Sequence, residues 1–431
     1  MKGPYAIVDV NSFYASCEKV FKPSIWHKPV VVLSNNDGII IALSKEAKDR
    51  GIKMGDPFFK VKPILKKHDV QVFSSNYALY GDMSQRVMTT LEQFSPNVEI
   101  YSIDEAFMDL NGVIIQKPMA EFLKEVKDTV FKWTGLPVSI GSAPTKTLSK
   151  IANKFAKKHK ECGGILDLCG LKDYSDYLKQ TPVSDIWGVG RQYAKLLNRH
   201  GIFNAWELSR ANDKWIKKNM TVMGLRTVYE LRGIPCIEME YTPSPKKAII
   251  SSRSFSKPVG TFVEVKEAVS LFTSRAAEKM RLQKSAATEL SVFLRTNPFK
   301  DTPQYHNGVF ARLPVPTDST AELLEYADKA ARQVYREGFL FQKAGIMLAG
   351  FVPMDHSQLA MFDSKDRIKM NRLTEVMDQV NMEMGSGTLF YAASGIKRDW
   401  HMKREMKSPH YTTRWNDIPE VSAAEQSGLW D

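Results

Sequence analysis

Short apolar runs alternate with amphipathic segments through residues 1 to 170, which predicts a mixed α/β structure there. The runs "PVVVL" and "IIIAL" flank "SNNDG", whose Asn, Asp and Gly residues are typical of a hairpin turn. Ser44 is placed to cap a short helix that stops at Gly51. Apolar residues recur at helical spacing in "MAEFLKEVKDTVFKWTG" and "TKTLSKIANKFAKKHK", whereas "YAIVDV" and "LPVSIGSA" are β-rich.

The pattern changes twice further along the chain. Residues 171 to 235 lack strand signals and predict short helices, and "YTPSPKK", which begins at Tyr241, predicts a linker. After this linker the segments alternate as β-α-β-β-α-β, which is the split-βαβ or ferredoxin-like pattern. The tail from about residue 353 is a mixture of polar, Met-rich and basic pieces.

Composition narrows the class of protein. A chain of 431 residues is too long for one ordinary core, so we expect three or more domains. Hydrophobic residues make up 43% and charged residues 25%, which is typical of soluble globular proteins. No apolar run is long enough to span a membrane, and Pro4 and Asp9 interrupt any signal-peptide core, so we expect a cytoplasmic protein. The four cysteines show no CxxC spacing, which favours reduced thiols over disulfides or zinc ligands.

The formal net charge is +12, and the positions of the Lys and Arg residues indicate what the protein binds. Lys and Arg crowd three stretches that also contain Phe or Trp: "SKIANKFAKKHK", "KKAIISSRSFSK" and "KRDWHMKREMK". Basic stretches interrupted by aromatic residues suit a nucleic-acid backbone together with base or sugar contacts. The alternative is a set of solvated helix faces.

Two adjacent carboxylates, Asp104 and Glu105, lie in the middle of "YSIDEAFMDL", most of which predicts a strand. Successive side chains on a strand point to opposite faces, so the two serve one site only if the strand bends between them. Asp9 lies in another β-rich run and could meet them on a neighbouring strand. Divalent metal would neutralise such a cluster, and hard oxygen ligands suit magnesium for phosphoryl or nucleotidyl transfer. A pair of strand-end residues facing solvent is the simpler alternative.

At this point the chain resembles the Y-family of translesion DNA polymerases. "DVNSFYASCE" from Asp9 resembles the first motif of the family, "SIDEAF" from Ser102 the second, and "GSAPTKTLSKIANKFAK" from Gly141 the region that follows. Within the family, "SNNDG", "SSNY" and "WGVG" are most similar to the UmuC type, the catalytic subunits of bacterial DNA polymerase V.

The resemblance implies roles for the residues around the carboxylates. Asp9, Asp104 and Glu105 would hold two magnesium ions, with the backbone carbonyl of Val10 as a further ligand. Tyr14 matches the steric gate that excludes a ribose 2′-hydroxyl, with Phe13 as the competing candidate.

Three lysines are implied in binding the incoming nucleotide. Lys157 matches a lysine that contacts the triphosphate. Lys45 and Lys48 stand where many relatives carry Tyr and Arg, which puts the detailed grip on the triphosphate in doubt.

Further contacts follow from the same resemblance. "DIWGVGRQYAKLL" is similar to a helix-hairpin-helix, in which Gly188, Gly190 and Arg191 would approach a DNA phosphate; a Gly turn between packed helices is the alternative. Arg253 is a second candidate phosphate contact. "QLAMF" resembles the peptide by which bacterial polymerases bind the β sliding clamp, through Gln358, Leu359, Met361 and Phe362.

The implied fold is an α/β and α+β multidomain protein: a polymerase right hand with a ferredoxin-like little finger and a C-terminal tail. The expected boundaries are palm 1–11 and 80–168, fingers 12–79, helical thumb 169–240, little finger 246–352, and C-terminal clamp- and partner-binding region 353–431. The implied partners are primer-template DNA, dNTP, the β sliding clamp, a UmuD′ dimer and a RecA filament, with no membrane. Two rival functions remain, another two-metal palm enzyme such as a nucleotidyl cyclase, and a catalytically inactive DNA-binding scaffold.

Overall fold

The computed structural model describes residues 4–113, 116–242, 244–354 and 366–420. Their contacts form two compact units. The first comprises the described residues of Met1–Ser34, Gly38–Pro243 and Met406–Asp431. The second comprises those of Asn35–Asp37 and Ser244–Glu405.

The first unit begins with the predicted α/β region and continues into short helices. Its elements in chain order are β1 (Tyr5–Val10), α1 (Phe13–Val20), β2 (Val30–Leu33), β3 (Ile40–Leu43), α2 (Lys45–Asp49), α3 (Phe58–Lys67), β4 (Gln71–Ser74), α4 (Tyr77–Leu91), β5 (Val98–Ile100), β6 (Glu105–Asp109), α5 (Met119–Thr134), β7 (Val138–Ala143), α6 (Lys146–Lys158), β8 (Ile165–Asp167), α7 (Ser175–Lys179), α8 (Arg191–Arg199), α9 (Ala205–Ser209) and α10 (Asp213–Leu231).

The main sheet of this unit has the strand order β5-β6-β1-β7-β8. β1 lies in the centre, antiparallel to both β6 and β7, and all six of its residues are buried. Helices α1, α4 and α5 pack their apolar faces into the same core as β1, β6 and β7. α6 approaches β7 closely at Gly141, where an added Cβ would lie 2.2 Å from the backbone nitrogen of Asn153. Glycine is therefore required where this basic helix crosses the sheet.

A smaller sheet of order β3-β2-β4 carries the predicted hairpin. β2 and β3 are antiparallel on either side of "SNNDG", and Ser44 Oγ accepts a hydrogen bond from the backbone N–H of Ala47 at the start of α2. The predicted cap of α6 is also present, because Thr145 Oγ1 accepts from the N–H of Leu148. Local sequence signals therefore placed both helix starts correctly.

The second unit contains the predicted β-α-β-β-α-β order, followed by a short strand and a further helix. Its elements are β9 (Ala248–Val259), α11 (Phe262–Leu282), β10 (Ser285–Thr296), β11 (His306–Thr317), α12 (Thr320–Val334), β12 (Phe341–Ala349), β13 (Val352–Pro353) and α13 (Arg367–Glu383). In its sheet, of order β11-β10-β12-β9, neighbouring strands are antiparallel. β12 lies between β9 and β10 and so splits that βαβ unit. Helices α11 and α12 cover one face of the sheet and share its core.

The described residues of the C-terminal region are divided between the two units. α13 packs within the second unit, where Arg281 on α11 makes two hydrogen bonds of 2.6 and 2.8 Å to the Asp378 carboxylate. Trp400 is buried in the same core against Phe255 and Phe272. The described residues that follow Glu405 belong to the first unit. The candidate clamp peptide, Gln358 to Phe362, lies outside the described residues.

In the described part of the chain, no helix is both long and apolar enough to cross a membrane. All four cysteines are free thiols.

Candidate active site

Asp9 and Glu105 are directly opposite each other in the pairing of β1 with β6. Residues that face each other across antiparallel strands have Cβ atoms roughly 5 Å apart, on the same face of the sheet. The two carboxylates are thus neighbours although 95 residues of chain separate them. This is the convergence that the sequence predicted for these two residues.

Asp104 lies in the tight turn that joins β5 to β6. The backbone N–H groups of Tyr101 and Ser102 both donate to the Glu105 carbonyl, at 3.1 and 3.0 Å. Ser102 Oγ accepts from the N–H of Glu105 at 3.0 Å and donates to Asp104 Oδ1 at 2.7 Å. The predicted bend between the two acidic residues is present, and Ser102 stabilises it.

The turn also contacts the central strand. The N–H of Val10 donates to the Asp104 carbonyl at 2.9 Å, which places Asp104 beside the end of β1. Asp9, Val10, Asp104 and Glu105 are therefore gathered at one end of the β1–β6 pair.

Two lysines of α6 neutralise the carboxylate pair. Lys157 forms an ion pair with Asp9, and Lys150 Nζ lies 3.1 Å from a carboxylate oxygen of Glu105. Their spacing of seven residues puts them on the same face of the helix. Lys157 was predicted to contact the triphosphate, whereas Lys150 was missed. The i, i+7 spacing from Lys157 is the signal that could have identified it.

The surroundings of Asp9 disfavour its negative charge. Burial raises the pKa of Asp9 to about 7, Lys157 opposes the rise, and the Glu105 carboxylate adds to it. Asp9 is 9% exposed, so water screens this repulsion weakly. A cation at this position would relieve it.

The oxygen atoms of these residues are suitable ligands for a hard divalent cation, but the Asp104 carboxylate does not lie with those of Asp9 and Glu105. In the described part of the chain, no group of three or more His, Cys, Asp or Glu side chains is close enough to hold a metal ion. Asp104 instead accepts the hydroxyl hydrogen of Ser102. Carboxylate and carbonyl oxygens are nevertheless the ligands that magnesium prefers, and Asp9 and Glu105 supply two carboxylates side by side.

Phe13 and Tyr14 begin α1, and the structure separates their environments. Phe13 is 4% exposed and packs in the core of the main sheet, whereas Tyr14 is half-buried. Burial raises the pKa of Tyr14, and the nearby Tyr77 and Asp104 add to the rise. Of the two aromatic residues, Tyr14 is therefore the one that is partly exposed, and its pKa is influenced by Asp104.

The other predicted nucleotide contacts, Lys45 and Lys48, lie on the short helix α2 with exposed side chains. Two ammonium groups on one helical turn are available to an anion there.

The two glycines of the candidate helix-hairpin-helix lie in the turn before α8. Gly188 has φ +87°, in the left-handed region, and Gly190 is the N-cap residue of α8, whose first residue is the exposed Arg191. Trp187, which precedes them, donates from Nε1 to the Tyr101 hydroxyl at 2.9 Å. This glycine turn is therefore connected to the residues that precede the Asp104 turn.

Arg253 lies in the second unit, on the edge strand β9. It is opposite Ala344, which is buried in the core against the helices, so both residues are on the helix-covered side of the sheet. It lines a cavity of about 440 Å³ together with Arg275 and Lys279 of α11.

Comparisons with known proteins cover nearly the whole chain. The model of the impB/mucB/samB family matches residues 8–154, that of the impB/mucB/samB family C-terminal domain matches residues 246–361, and a domain of unknown function (DUF4113) matches residues 371–421.

Comparisons with individual proteins also match most of the chain. Protein UmuC of Salmonella typhimurium is 46% identical, with 97% of this chain and 100% of that protein covered. DNA polymerase IV 1 of Bacillus subtilis is 26% identical, with 88% of this chain and 90% of that protein covered. A solved Y-family DNA polymerase chimera matches with a TM-score of 0.63 at 19% identity, covering 81% of this chain and all of that one. The predicted right-hand polymerase fold is confirmed.

Proposed function

Since the chain belongs to the impB/mucB/samB family, we propose that it is a Y-family DNA polymerase of the UmuC type. It extends a primer on a DNA template by nucleotidyl transfer from dNTP. It performs low-fidelity translesion synthesis in the bacterial DNA-damage (SOS) response. The observation that carries this proposal is the juxtaposition of Asp9 and Glu105, with Asp104 beside them in the turn.

Asp9, Asp104, Glu105 and the carbonyl of Val10 would hold two magnesium ions. When bound, magnesium supplies positive charge that stabilises the attacking and leaving oxygens of an in-line displacement. To join the other carboxylates at this site, Asp104 would exchange its hydrogen bond from Ser102 Oγ for a bond to the metal.

The reaction exchanges one phosphorus–oxygen bond for another. The primer 3′-hydroxyl oxygen bonds to the α-phosphorus of the dNTP, its proton is lost, and the bond to pyrophosphate breaks. Lys157 binds the triphosphate from α6, and Lys45 and Lys48 add positive charge from α2. Tyr14 lies against the sugar and excludes a 2′-hydroxyl.

DNA is held by residues outside the carboxylate cluster. The N–H groups at Gly188 and Gly190, with Arg191, contact a backbone phosphate at the start of α8. Arg253 contributes a further contact from the second unit.

Three protein partners complete the proposal. Gln358, Leu359, Met361 and Phe362 bind the β sliding clamp. The C-terminal region assembles with a UmuD′ dimer and a RecA filament.

Primer extension with magnesium tests the function. We expect the added nucleotide to follow the template base on undamaged DNA, and synthesis to continue past an abasic site. A nucleotidyl cyclase would convert free nucleotides without a primer, and a DNA-binding scaffold would bind primer-template without extending it. Either result, obtained with clamp, UmuD′ and activated RecA present, contradicts the proposal.

A further inference from the structure

The ring of Tyr14 is stacked on a fully buried tyrosine of another helix. The ring centroids of Tyr14 and Tyr80 are 4.4 Å apart and the rings are 16° from parallel. Tyr77 meets both rings edge-on, at 6.0 and 6.2 Å. One face of the Tyr14 ring is therefore covered by α4, so Tyr80 limits how far the ring can retreat in that direction.

The hydroxyl of Tyr80 is fixed in turn by a buried carboxylate. It donates to Glu18 Oε1 at 2.6 Å, and Glu18 lies four residues after Tyr14 on α1. Tyr80 is 0% and Glu18 1% exposed, so no water competes for this bond. The hydrogen bond and the ring stack thus join α1 to α4 at two points one helical turn apart.

A residue from the C-terminal region completes the network. Ser408 Oγ donates to the same oxygen, Glu18 Oε1, at 3.1 Å, across 390 residues of sequence. Asn76, which precedes α4, donates through Nδ2 to Ser408 Oγ at 3.0 Å and to the Pro409 carbonyl at 3.0 Å.

The backbone around Ser408 is also held. Ser74 at the end of β4 donates its N–H to the Met406 carbonyl at 2.9 Å, and Tyr411 stacks on Phe21 with ring centroids 4.8 Å apart. The segment Met406–Tyr411 is therefore bound on both sides of Ser408, which fixes the position from which Ser408 reaches Glu18.

We infer that Tyr80, Glu18 and Ser408 are positioning residues that hold the Tyr14 ring, so that the segment Met406–Tyr411 sets how strictly ribonucleotides are excluded. This inference rests on the proposed function of Tyr14. It assigns to part of the domain of unknown function a role in sugar selection.

The physical reason lies in the size of the discriminating group. A dNTP and an rNTP differ by one oxygen atom, so a small retreat of the gate ring is enough to admit the larger sugar. Each hydrogen bond to Glu18 restricts Tyr80, and Tyr80 restricts Tyr14 through the stack.

Ser408→Ala and Tyr80→Phe test the inference, because each removes one hydroxyl from the network and leaves every ring in place. For each variant, kcat/KM is measured for insertion of an rNTP and of the matching dNTP. The ratio of the two does not depend on the fraction of folded enzyme, so it is insensitive to a merely structural loss. We expect both variants to raise the ratio by about threefold or more, and Ser408→Thr, which keeps the hydroxyl, to restore it.

Ser175→Ala is the matched control, because Ser175 Oγ also donates to a carboxylate, that of Asp173 at 3.0 Å, outside this network. We expect the control to keep the parent ratio. In a Tyr14→Ala background we expect Ser408→Ala to have no further effect, since it acts through Tyr14.

An unchanged ratio in Ser408→Ala and Tyr80→Phe overturns the inference while leaving the polymerase assignment intact. An equal rise with and without Tyr14 also overturns it. Failure of the parent protein to insert dNTP would instead refute the proposed function.

Discussion

Asp9 and Glu105 face each other across two antiparallel strands, and each is paired with a lysine from one face of α6. Because α6 crosses the sheet at Gly141, the helix brings Lys150 and Lys157 to the acidic end of the β1–β6 pair. Under the proposed function, the same two lysines would contact the triphosphate once cations bind the carboxylates. The arrangement therefore supplies both charges that nucleotidyl transfer requires, acidic groups for metal and basic groups for phosphate.

Lys157→Ala is expected to weaken nucleotide binding. Loss of one charge-assisted contact to phosphate costs about 1.5 to 3 kcal/mol, so the KM for dNTP should rise roughly tenfold or more. Steady-state insertion kinetics measure this. Lys158→Ala is the control, since Lys158 is exposed at the end of the same helix. An equal KM for the Lys157→Ala and Lys158→Ala enzymes would remove Lys157 from the nucleotide site.

Tyr14→Ala is expected to admit ribonucleotides, because it removes the half-buried ring beside Asp104. Competition between rNTP and dNTP in single-nucleotide insertion measures the change, and we expect a shift of roughly tenfold or more towards rNTP. Phe13→Ala should instead lower the free energy of unfolding by about 3 kcal/mol, since Phe13 is a core residue. Unaltered sugar preference in Tyr14→Ala would move the gate to another residue.

Gly190→Ala separates a DNA contact from a structural turn. An added Cβ at Gly190 meets no atom within 4 Å, and its φ of −77° suits any residue, so the melting temperature should not change. The methyl group should nevertheless hold a phosphate away from the N–H groups and weaken DNA binding roughly tenfold. Fluorescence anisotropy with labelled primer-template gives the affinity.

Gly188→Ala provides the comparison for this glycine turn. Its φ of +87° and the contact of 3.2 Å with Thr227 Oγ1 make alanine strained there, so we expect a loss of stability of about 1 kcal/mol. DNA affinity that is unchanged in Gly190→Ala would favour the glycine turn as a packing feature.

Glu18 should make stability depend on pH. Burial raises its pKa to about 7 from an ordinary 4.5, although Tyr80 and Ser408 hydrogen-bond the carboxylate. The native state then holds a proton that the unfolded chain has lost, so stability falls as the pH rises from about 4.5 to 7. The shift corresponds to about 3 kcal/mol. The titratable groups that face Glu18 are Tyr80, Cys17 and Tyr411.

Glu18→Gln removes this titration. We measure the free energy of unfolding of variant and parent by urea denaturation. The value for the variant minus that for the parent should increase as the pH is raised from 5 to 8. Glu92→Gln changes an exposed carboxylate and is the control. A difference between variant and parent that does not vary with pH would contradict the buried, protonated state of Glu18.

Local sequence patterns predict most of the helices and strands of this fold, but they do not predict how these elements contact one another. Two helix starts are predicted by the capping residues Ser44 and Thr145, and a turn is predicted by "SNNDG". These signals act through short-range hydrogen bonds and backbone preferences. The register that sets Asp9 against Glu105 depends on pairing between distant strands, which neither strand encodes alone.

The same limit applies to side-chain roles. Phe13 and Tyr14 are adjacent on one helix, and only packing against α4 decides which of them is buried. Lys150 belongs to a helix whose charges alone suggested nucleic acid, and its pairing with Glu105 follows from how α6 crosses the sheet. Ser408 carries no signal in sequence, because its partner Glu18 lies 390 residues away.

The most direct test of the account is primer extension with magnesium by Asp104→Ala beside the parent protein, with DNA affinity measured on the same preparations. Asp128→Ala, which removes an exposed carboxylate of α5, is the control and should extend like the parent. We predict that Asp104→Ala abolishes extension while binding primer-template with unchanged affinity. Equal extension by the parent and Asp104→Ala would contradict the claim that these carboxylates form the catalytic site.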